Sequence, residues 1–203
     1  MKKHKIFFIG ALSLIIFGLL LPQPIQALLV LVESPIKEFF ETHSLLLCII
    51  VGLIQGLSEE CGYYFVFRTI FKNESSIKIP IFFGLGRSSL HTIFDIVTIL
   101  MMHNNISNLL IAIFSRVIGF GALMGLTLID YNSIIKKKKL YLILSVLLHA
   151  IMNGTLYAAE LNLFKVNNNF DSLFMICFSC AVIIISILIC RKDLKNYIVN
   201  MQL

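Results

Sequence analysis

Six long apolar runs dominate the sequence and are separated by short polar or charged connections. A helix crosses a hydrocarbon core of about 30 Å with about 20 residues, and the runs are close to that length. They lie at about 6–21, 44–67, 81–102, 109–130, 140–162 and 172–190. Hydrophobic residues make up 58% of the 203 residues and charged residues 14%, with a mean hydropathy of +0.91, which excludes an ordinary soluble domain. The sequence predicts a single all-α domain over 1–203, a polytopic, multi-pass bundle of about six transmembrane helices in the cell membrane.

Lysine and arginine are concentrated in alternate connections between the runs. Of the 17 lysines and arginines, 13 fall on the side of the two termini. Two, Lys37 and Lys165, fall on the other side, and Arg87 and Arg116 lie within apolar runs. Since cytoplasmic loops carry the excess of basic residues, we expect both termini to be cytoplasmic. The net charge of +6 comes from short clusters between apolar runs. Membrane lipid is therefore an expected partner, and nucleic acid is not.

The first run starts after a cluster of lysines and ends near Pro22 and Pro24. Such a start is similar to a secretory signal, but apolar residues resume directly after the prolines and no soluble domain follows. We therefore expect an uncleaved helix that the prolines end or kink. A short re-entrant or interfacial piece near 25–32 is an open alternative.

Two adjacent carboxylates, Glu59 and Glu60, lie inside the second run. A carboxylate at the centre of a spanning helix costs about 3 kcal/mol, so such residues usually face a cavity or a partner. The pair is therefore the first candidate for a functional site. For Glu59, a structural ion pair with Arg87 or Arg116 is the competing interpretation.

Two more polar pairs have the spacing of one helical turn, Arg87 with His91 and His149 with Asn153. Residues four apart share a helix face. At about 1.5 Å of rise per residue, Glu60, His91 and His149 all lie about 12–15 Å from the cytoplasmic edge. The common depth predicts that three helices meet in one polar cavity. Hydrogen bonds that only hold the helices together are the alternative for both pairs.

Two other charges within the runs are expected to have structural roles. Arg116 is expected to satisfy a carboxylate or helix carbonyls in the core. Asp95 follows Arg87 by two turns on the same face, so we expect it to be the counter-ion of Arg87.

These residues, in this order, resemble the CAAX-protease-and-bacteriocin-processing (CPBP) superfamily of intramembrane proteases, most closely its YhfC-type branch. The resemblance covers most of the chain and rests on Glu59-Glu60, Phe83-Gly84-Leu85-Gly86-Arg87, Ser115-Arg116 and His149-Ala150-Ile151-Met152-Asn153. It implies hydrolysis of peptide bonds within the membrane. The substrate would be a prenylated or membrane-embedded peptide or protein, reached from the cytoplasmic half.

The resemblance also implies roles for the polar residues. A glutamate of the pair, Glu59 or Glu60, and an imidazole of the next helix, here His91, would activate a water. His149 and Asn153 would stabilise the oxyanion, and Arg87 and Arg116 would act on the substrate or on the site's electrostatics. This version requires no cofactor and is ranked first. In the variant ranked below it, Glu60, His91 and His149 hold a divalent metal such as zinc, which carboxylates and imidazoles suit.

The chain departs from the family pattern at several positions. Tyr63 and Tyr64 stand where the superfamily has an arginine, Arg87 replaces a motif histidine, and His91 stands where the branch has a glutamate. His91 would then restore an imidazole from one turn away, or Arg87 would neutralise Glu60 as a buried ion pair. The second outcome predicts a weakly active or inactive relative that serves as a membrane immunity or binding protein. An ion-coupled transporter is the weakest alternative.

Overall fold

The computed structural model is a bundle of long helices and describes residues 1–31, 33–72, 74, 76–102, 106–161, 163 and 168–201. Within these residues, eight α-helices and one π-helical segment follow one another. They are α1 (Lys3–Ser13), the π segment (Leu14–Leu20), α2 (Pro22–Val30), α3 (Pro35–Thr42), α4 (Ser44–Thr69), α5 (Lys78–Met102), α6 (Ile106–Ile135), α7 (Lys139–Glu160) and α8 (Asn168–Met201).

Five helical stretches of the described residues are long and apolar enough to cross a membrane. They are Lys3–Val30, Ser44–Thr69, Leu110–Ile135, Lys139–Ala159 and Leu173–Arg191. Each overlaps one predicted span, and the remaining span, 81–102, lies in α5, which packs against α1 and α6. The multi-pass helical bundle is thus confirmed, while the cytoplasmic position of the termini and the single domain stay predictions.

The first span is longer than predicted because the helix continues past the prolines. The π segment joins α1 to α2, so helical backbone extends over residues 25–30. Pro22 has no N–H to donate to the Gly18 carbonyl one turn earlier, and the Nε2 of Gln55 on α4 donates to that carbonyl at 2.9 Å. A side chain of a neighbouring helix thus satisfies a backbone acceptor that the proline cannot.

Helices α4 and α7 touch backbone to backbone. A Cβ on Gly52 would lie 2.3 Å from the Ala150 carbonyl oxygen, and one on Gly56 would lie 2.7 Å from that of Val146. Small residues spaced four apart permit this close approach in membranes. The contact places the next turn of α4, which carries Glu60, against His149 of α7.

Helices α1 and α5 make a second contact of the same kind. A Cβ on Gly10 would lie 2.1 Å from the Phe83 carbonyl oxygen, and one on Gly86 would lie 1.9 Å from that of Phe7. Neither glycine can be replaced without moving a helix. The crossing fixes α5 at the residue before Arg87.

The two ends of the bundle differ in what fills them. We call the end at which α1, α5 and α7 begin the basic end, since Lys3, Lys78 and Lys139 lie there, and the other the far end. An aromatic cluster packs toward the basic end and comprises Tyr63, Phe67, Phe71, Phe83 and Tyr131. Its members are at most 5% exposed, so this end of the core is closed by side chains.

We expect Gly52→Ala to lower the free energy of unfolding by about 1–3 kcal/mol, the usual cost of inserting atoms into a packed core. The matched control is Gly119→Ala on α6, where an added Cβ meets nothing within 4 Å. Alanine is the better helix former by about 1 kcal/mol, so the control should be unchanged or slightly more stable. The measurement is the fraction of purified protein that stays monodisperse after heating in detergent. Equal melting of both variants would contradict the contact.

Candidate active site

Four ionisable side chains meet in the core where α4, α5 and α7 converge. Glu59, Glu60 and Arg87 are fully buried and His149 is 1% exposed. Charged side chains are almost never fully buried unless they are paired. The predicted meeting of three helices therefore occurs, with Arg87 in the place predicted for His91.

Every hydrogen-bonding position of Glu60 is used. Arg87 donates from Nη2 to Oε1 at 2.5 Å and from Nη1 to Oε2 at 3.4 Å. Ser145 Oγ donates to Oε2 at 3.2 Å, and His149 Nδ1 bonds to Oε1. An ionised carboxylate can only accept, so Nδ1 of His149 carries the hydrogen. In the neutral imidazole, the other nitrogen, Nε2, then has a lone pair.

Glu59 has three donors of its own. Gln55 Nε2 donates to Oε1 at 2.6 Å, Tyr63 Oη to Oε2 at 2.8 Å, and Arg87 Nη2 to Oε2 at 3.3 Å. His149 Nε2 is 3.8 Å from Oε1. The imidazole thus lies between the two carboxylates, bonded to Glu60 and facing Glu59.

Arg87 binds both carboxylates and is fixed from two further directions. Its Nη1 donates to Thr127 Oγ1 of α6 at 3.2 Å, and its guanidinium lies 4.1 Å from the centroid of the Tyr63 ring. Such a cation over an aromatic face is attractive. The ion pair with Glu60, which was one of the two predicted alternatives, is therefore present.

His91 and Arg116 lie apart from this cluster. His91 Nδ1 is 3.3 Å and Arg116 Nη1 is 3.6 Å from the same oxygen of Asp95. Asp95 is therefore the counter-ion of Arg116 and His91, and its predicted pairing with Arg87 is wrong because the guanidinium faces the glutamates. Asn153 donates to the backbone carbonyl of His149 at 3.3 Å.

A small cavity separates the two groups. Its volume is about 20 Å³, and its lining includes His149, Asn153, His91, Ser115 and Arg116. About 10–15 Å³ is enough for one water molecule, provided that polar groups are present to bond it. There is thus room for one water beside the imidazole of His149.

Asp130 of α6 is a member of the cluster that the sequence did not identify. It is fully buried and lies within hydrogen-bonding reach of Glu60 and Ser145. Ser145 donates to Glu60, and when both acids are ionised neither oxygen of Asp130 receives a hydrogen bond from the described residues. Asp130 follows Thr127 by three residues and therefore shares its face of α6. This spacing is the sequence signal that could have identified it.

The charges of the cluster do not balance when all three of its acids are ionised. Glu59, Glu60 and Asp130 carry three negative charges when ionised, against the single positive charge of Arg87. Ligand atoms of Glu59, Glu60 and His149 lie within 4.8 Å of one another and are suited to holding a metal ion. Carboxylate and imidazole are zinc ligands, a divalent cation would offset the two excess charges, and a metal-bound histidine usually donates its other N–H to a carboxylate. The residues fit a metal, although His91 of the predicted ligand set lies outside this group and Glu59 takes its place.

Comparisons with known proteins agree with the geometry. A family model described as YhfC intramembrane metalloprotease matches residues 1–106. The uncharacterized membrane protein YhfC of Bacillus subtilis (strain 168) is 26% identical over 183 residues, covering 73% of this chain and 70% of the relative. No solved structure matches the chain. Glu59, Glu60 and Arg87 lie in the part matched by the family model, whereas Asp130 and His149 lie beyond it.

We expect Asp130→Asn to raise the free energy of unfolding by about 1–3 kcal/mol, the range for satisfying an unpaired buried polar group. The asparagine amide keeps the shape, removes the negative charge that Asp130 carries when ionised, and offers a donor to the hydroxyl oxygen of Ser145. Asn132→Asp, two residues along the same helix, is the converse control: Asn132 Nδ2 now donates to the Leu128 carbonyl, and the substitution should destabilise. Thermal unfolding in detergent measures both. A clear loss of stability in Asp130→Asn would contradict the charge imbalance.

Proposed function

Since the chain belongs to the YhfC intramembrane metalloprotease family, we propose that it is an endopeptidase that hydrolyses peptide bonds inside the membrane. The observation that carries the proposal is the imidazole of His149, which is bonded through Nδ1 to buried Glu60, has Nε2 3.8 Å from Glu59, and belongs to a residue that lines a water-sized cavity. A histidine oriented by a carboxylate is a common device for activating water in hydrolases.

The contacts of Glu60 favour a different role from the one the family resemblance implied. Arg87, Ser145 and His149 occupy its acceptor positions, which leaves it poorly placed to take a proton from water. Glu60 instead orients the ring of His149 and selects its tautomer. Arg87 is a positioning residue that holds both glutamates in place.

His149 then acts through the lone pair on Nε2. In a metal-free reaction, Nε2 takes the proton from a water in the small cavity while the water oxygen bonds to the peptide carbonyl carbon. The C–N bond breaks next, and the same proton passes from Nε2 to the leaving amine. Alternatively, Glu59, Glu60 and Nε2 of His149 would hold a divalent cation such as zinc, with Glu60 exchanging one of its hydrogen bonds for the metal, and the cation would supply the Lewis acidity that activates water.

Asn153 and Arg116 line the small cavity beside this lone pair. The Asn153 amide uses one N–H on the His149 carbonyl and has a second to donate. The charge of Arg116 is shared with Asp95 at 3.6 Å. Donors aimed at the developing negative charge stabilise a tetrahedral intermediate, so we assign the oxyanion to these two residues.

We expect His149→Ala and Glu60→Gln each to reduce cleavage at least 100-fold, the usual contribution of a positioned acid or base. The assay uses protein in lipid nanodiscs with labelled casein and a library of synthetic single-span peptides, and mass spectrometry identifies new termini. His43→Ala and Glu38→Gln, which change exposed residues near the far end, are matched controls and should retain full activity. Undiminished cleavage by the His149→Ala variant would contradict the proposal.

The metal variant of the proposal predicts that purified protein retains about one divalent metal ion per chain, measured by mass spectrometry of the metal content, whereas the metal-free reaction predicts none. His149→Ala and Glu59→Gln should lose it because each removes a ligand, and His43→Ala should keep it. A metal-free protein that still cleaves in the presence of 1,10-phenanthroline would contradict the metal site and leave His149 as the base.

A second candidate function, a membrane binding or immunity protein without catalysis, is favoured by one observation. Arg87 forks onto Glu60 and thereby neutralises the residue that the resemblance makes the base. This alternative predicts that cellular function survives Glu60→Gln, whereas the endopeptidase requires that it be lost.

A further inference from the structure

A polar cavity of about 280 Å³ lies directly beside the candidate active site. Its volume is close to the lower end of the range of about 300–1,000 Å³ found for ligand sites. Gln23 and Gln26 of α2, Gln55 of α4 and Asn153 of α7 line it. Side-chain amides are rare inside a membrane bundle, and four around one space require a reason.

The amides offer uncharged donors and acceptors together. The charges that also line the cavity are paired, since Arg116 Nη1 is 3.6 Å from Asp95 Oδ2. The lining therefore suits a ligand that is neutral but rich in hydrogen bonds. The backbone of an unwound peptide is such a ligand, because within a membrane each unpaired N–H or C=O costs several kcal/mol.

A chain of hydrogen bonds joins this cavity to Glu59. Gln26 Nε2 donates to Gln55 Oε1 at 3.1 Å, and Gln55 Nε2 donates to Glu59 Oε1 at 2.6 Å. Asn153 lines both this cavity and the small one beside His149. A peptide held here lies next to the imidazole.

The cavity lies on the far side of the cluster. Gln55 precedes Glu59 by one turn toward the far end, and Tyr63 of the aromatic cluster follows it by one turn toward the basic end. The aromatic cluster closes the basic side, which favours the far end as the side from which a substrate reaches the amides. This direction is opposite to the cytoplasmic approach expected from the sequence.

We propose that the amide-lined cavity binds the extended backbone of a substrate peptide that enters from the far end of the bundle. The inference rests on the proposed function, since it assigns the substrate class of that site. Residues around the cavity then select for a locally unwound segment rather than for particular side chains.

Binding is tested without cleavage, in the His149→Ala background in nanodiscs. The probe is a fluorescent 22-residue Leu/Ala peptide with a central Gly-Pro-Gly, and fluorescence anisotropy gives its dissociation constant. We expect the double substitution Gln23→Leu and Gln26→Leu to raise that constant at least tenfold. Leu28→Met, which changes an exposed residue of α2 outside the lining, should leave it unchanged, and an uninterrupted Leu/Ala peptide should bind at least tenfold more weakly. Gln23→Leu alone repeats the test if the double variant does not fold.

The direction of entry is tested with single tryptophans, because the chain has none. Leu19→Trp reports from the cavity and Phe82→Trp from the first turns of α5 at the basic end. Iodide added outside vesicles should quench Leu19→Trp when the far end faces outward and Phe82→Trp when the basic end does. The Gly-Pro-Gly peptide should protect only Leu19→Trp from quenching.

The outcomes separate this inference from the proposed function. Two results would overturn the cavity assignment and leave the endopeptidase intact. One is tight binding of the Gly-Pro-Gly peptide that does not change with the glutamine substitutions, and the other is quenching of Leu19→Trp from the basic face. Glutamine-dependent binding by a protein that never cleaves supports the cavity assignment and rejects the endopeptidase.

Discussion

Backbone contact between α4 and α7 is the constraint on which the rest of the site depends. Gly52 and Gly56 leave no room for a side chain against Ala150 and Gly154, so the two helix axes are as close as their backbones allow. Glu60 follows Gly56 by one turn and His149 precedes Ala150, which lets a short carboxylate meet an imidazole directly. With larger residues at the glycines, the same two side chains would be separated, and the hydrogen bond that selects the tautomer of His149 would be lost.

Arg87 shows why the buried charges behave as one unit. Removing two ions from water costs several kcal/mol each, and their attraction often does no more than offset that cost. The ion pairs therefore contribute little net stability, but they fix geometry, since one guanidinium binds both glutamates and Thr127. Removal of any one partner would leave the others buried without compensation, which is why their effects should not add.

Hydropathy predicted the helical class and six spans, five of which are helices long and apolar enough to cross a membrane, because membrane crossing requires long apolar runs. Depth predicted that Glu60, His91 and His149 would meet, since the rise per residue is constant, and Glu60 and His149 do. Two features were beyond this reasoning. His91 shares a helix face with Arg87 but lies one turn nearer the far end, where its shorter side chain meets Asp95. Asp130 ends an apolar run just before a polar connection, and only the rotation of α6 about its axis, which hydropathy does not report, turns it inward.

The π segment has a mechanical consequence for the first span. A π turn holds one residue more than an α turn, and passing from one to the other rotates everything that follows by about 100° about the helix axis. Such a change between α1 and α2 would swing Gln23 and Gln26 around that axis without moving α1, because Gly10 fixes α1 against α5. The hydrogen bonds that join Gln26 to Gln55 and Gln55 to Glu59 therefore depend on the winding of the π segment. A change of one residue in that winding would turn Gln26 away from Gln55.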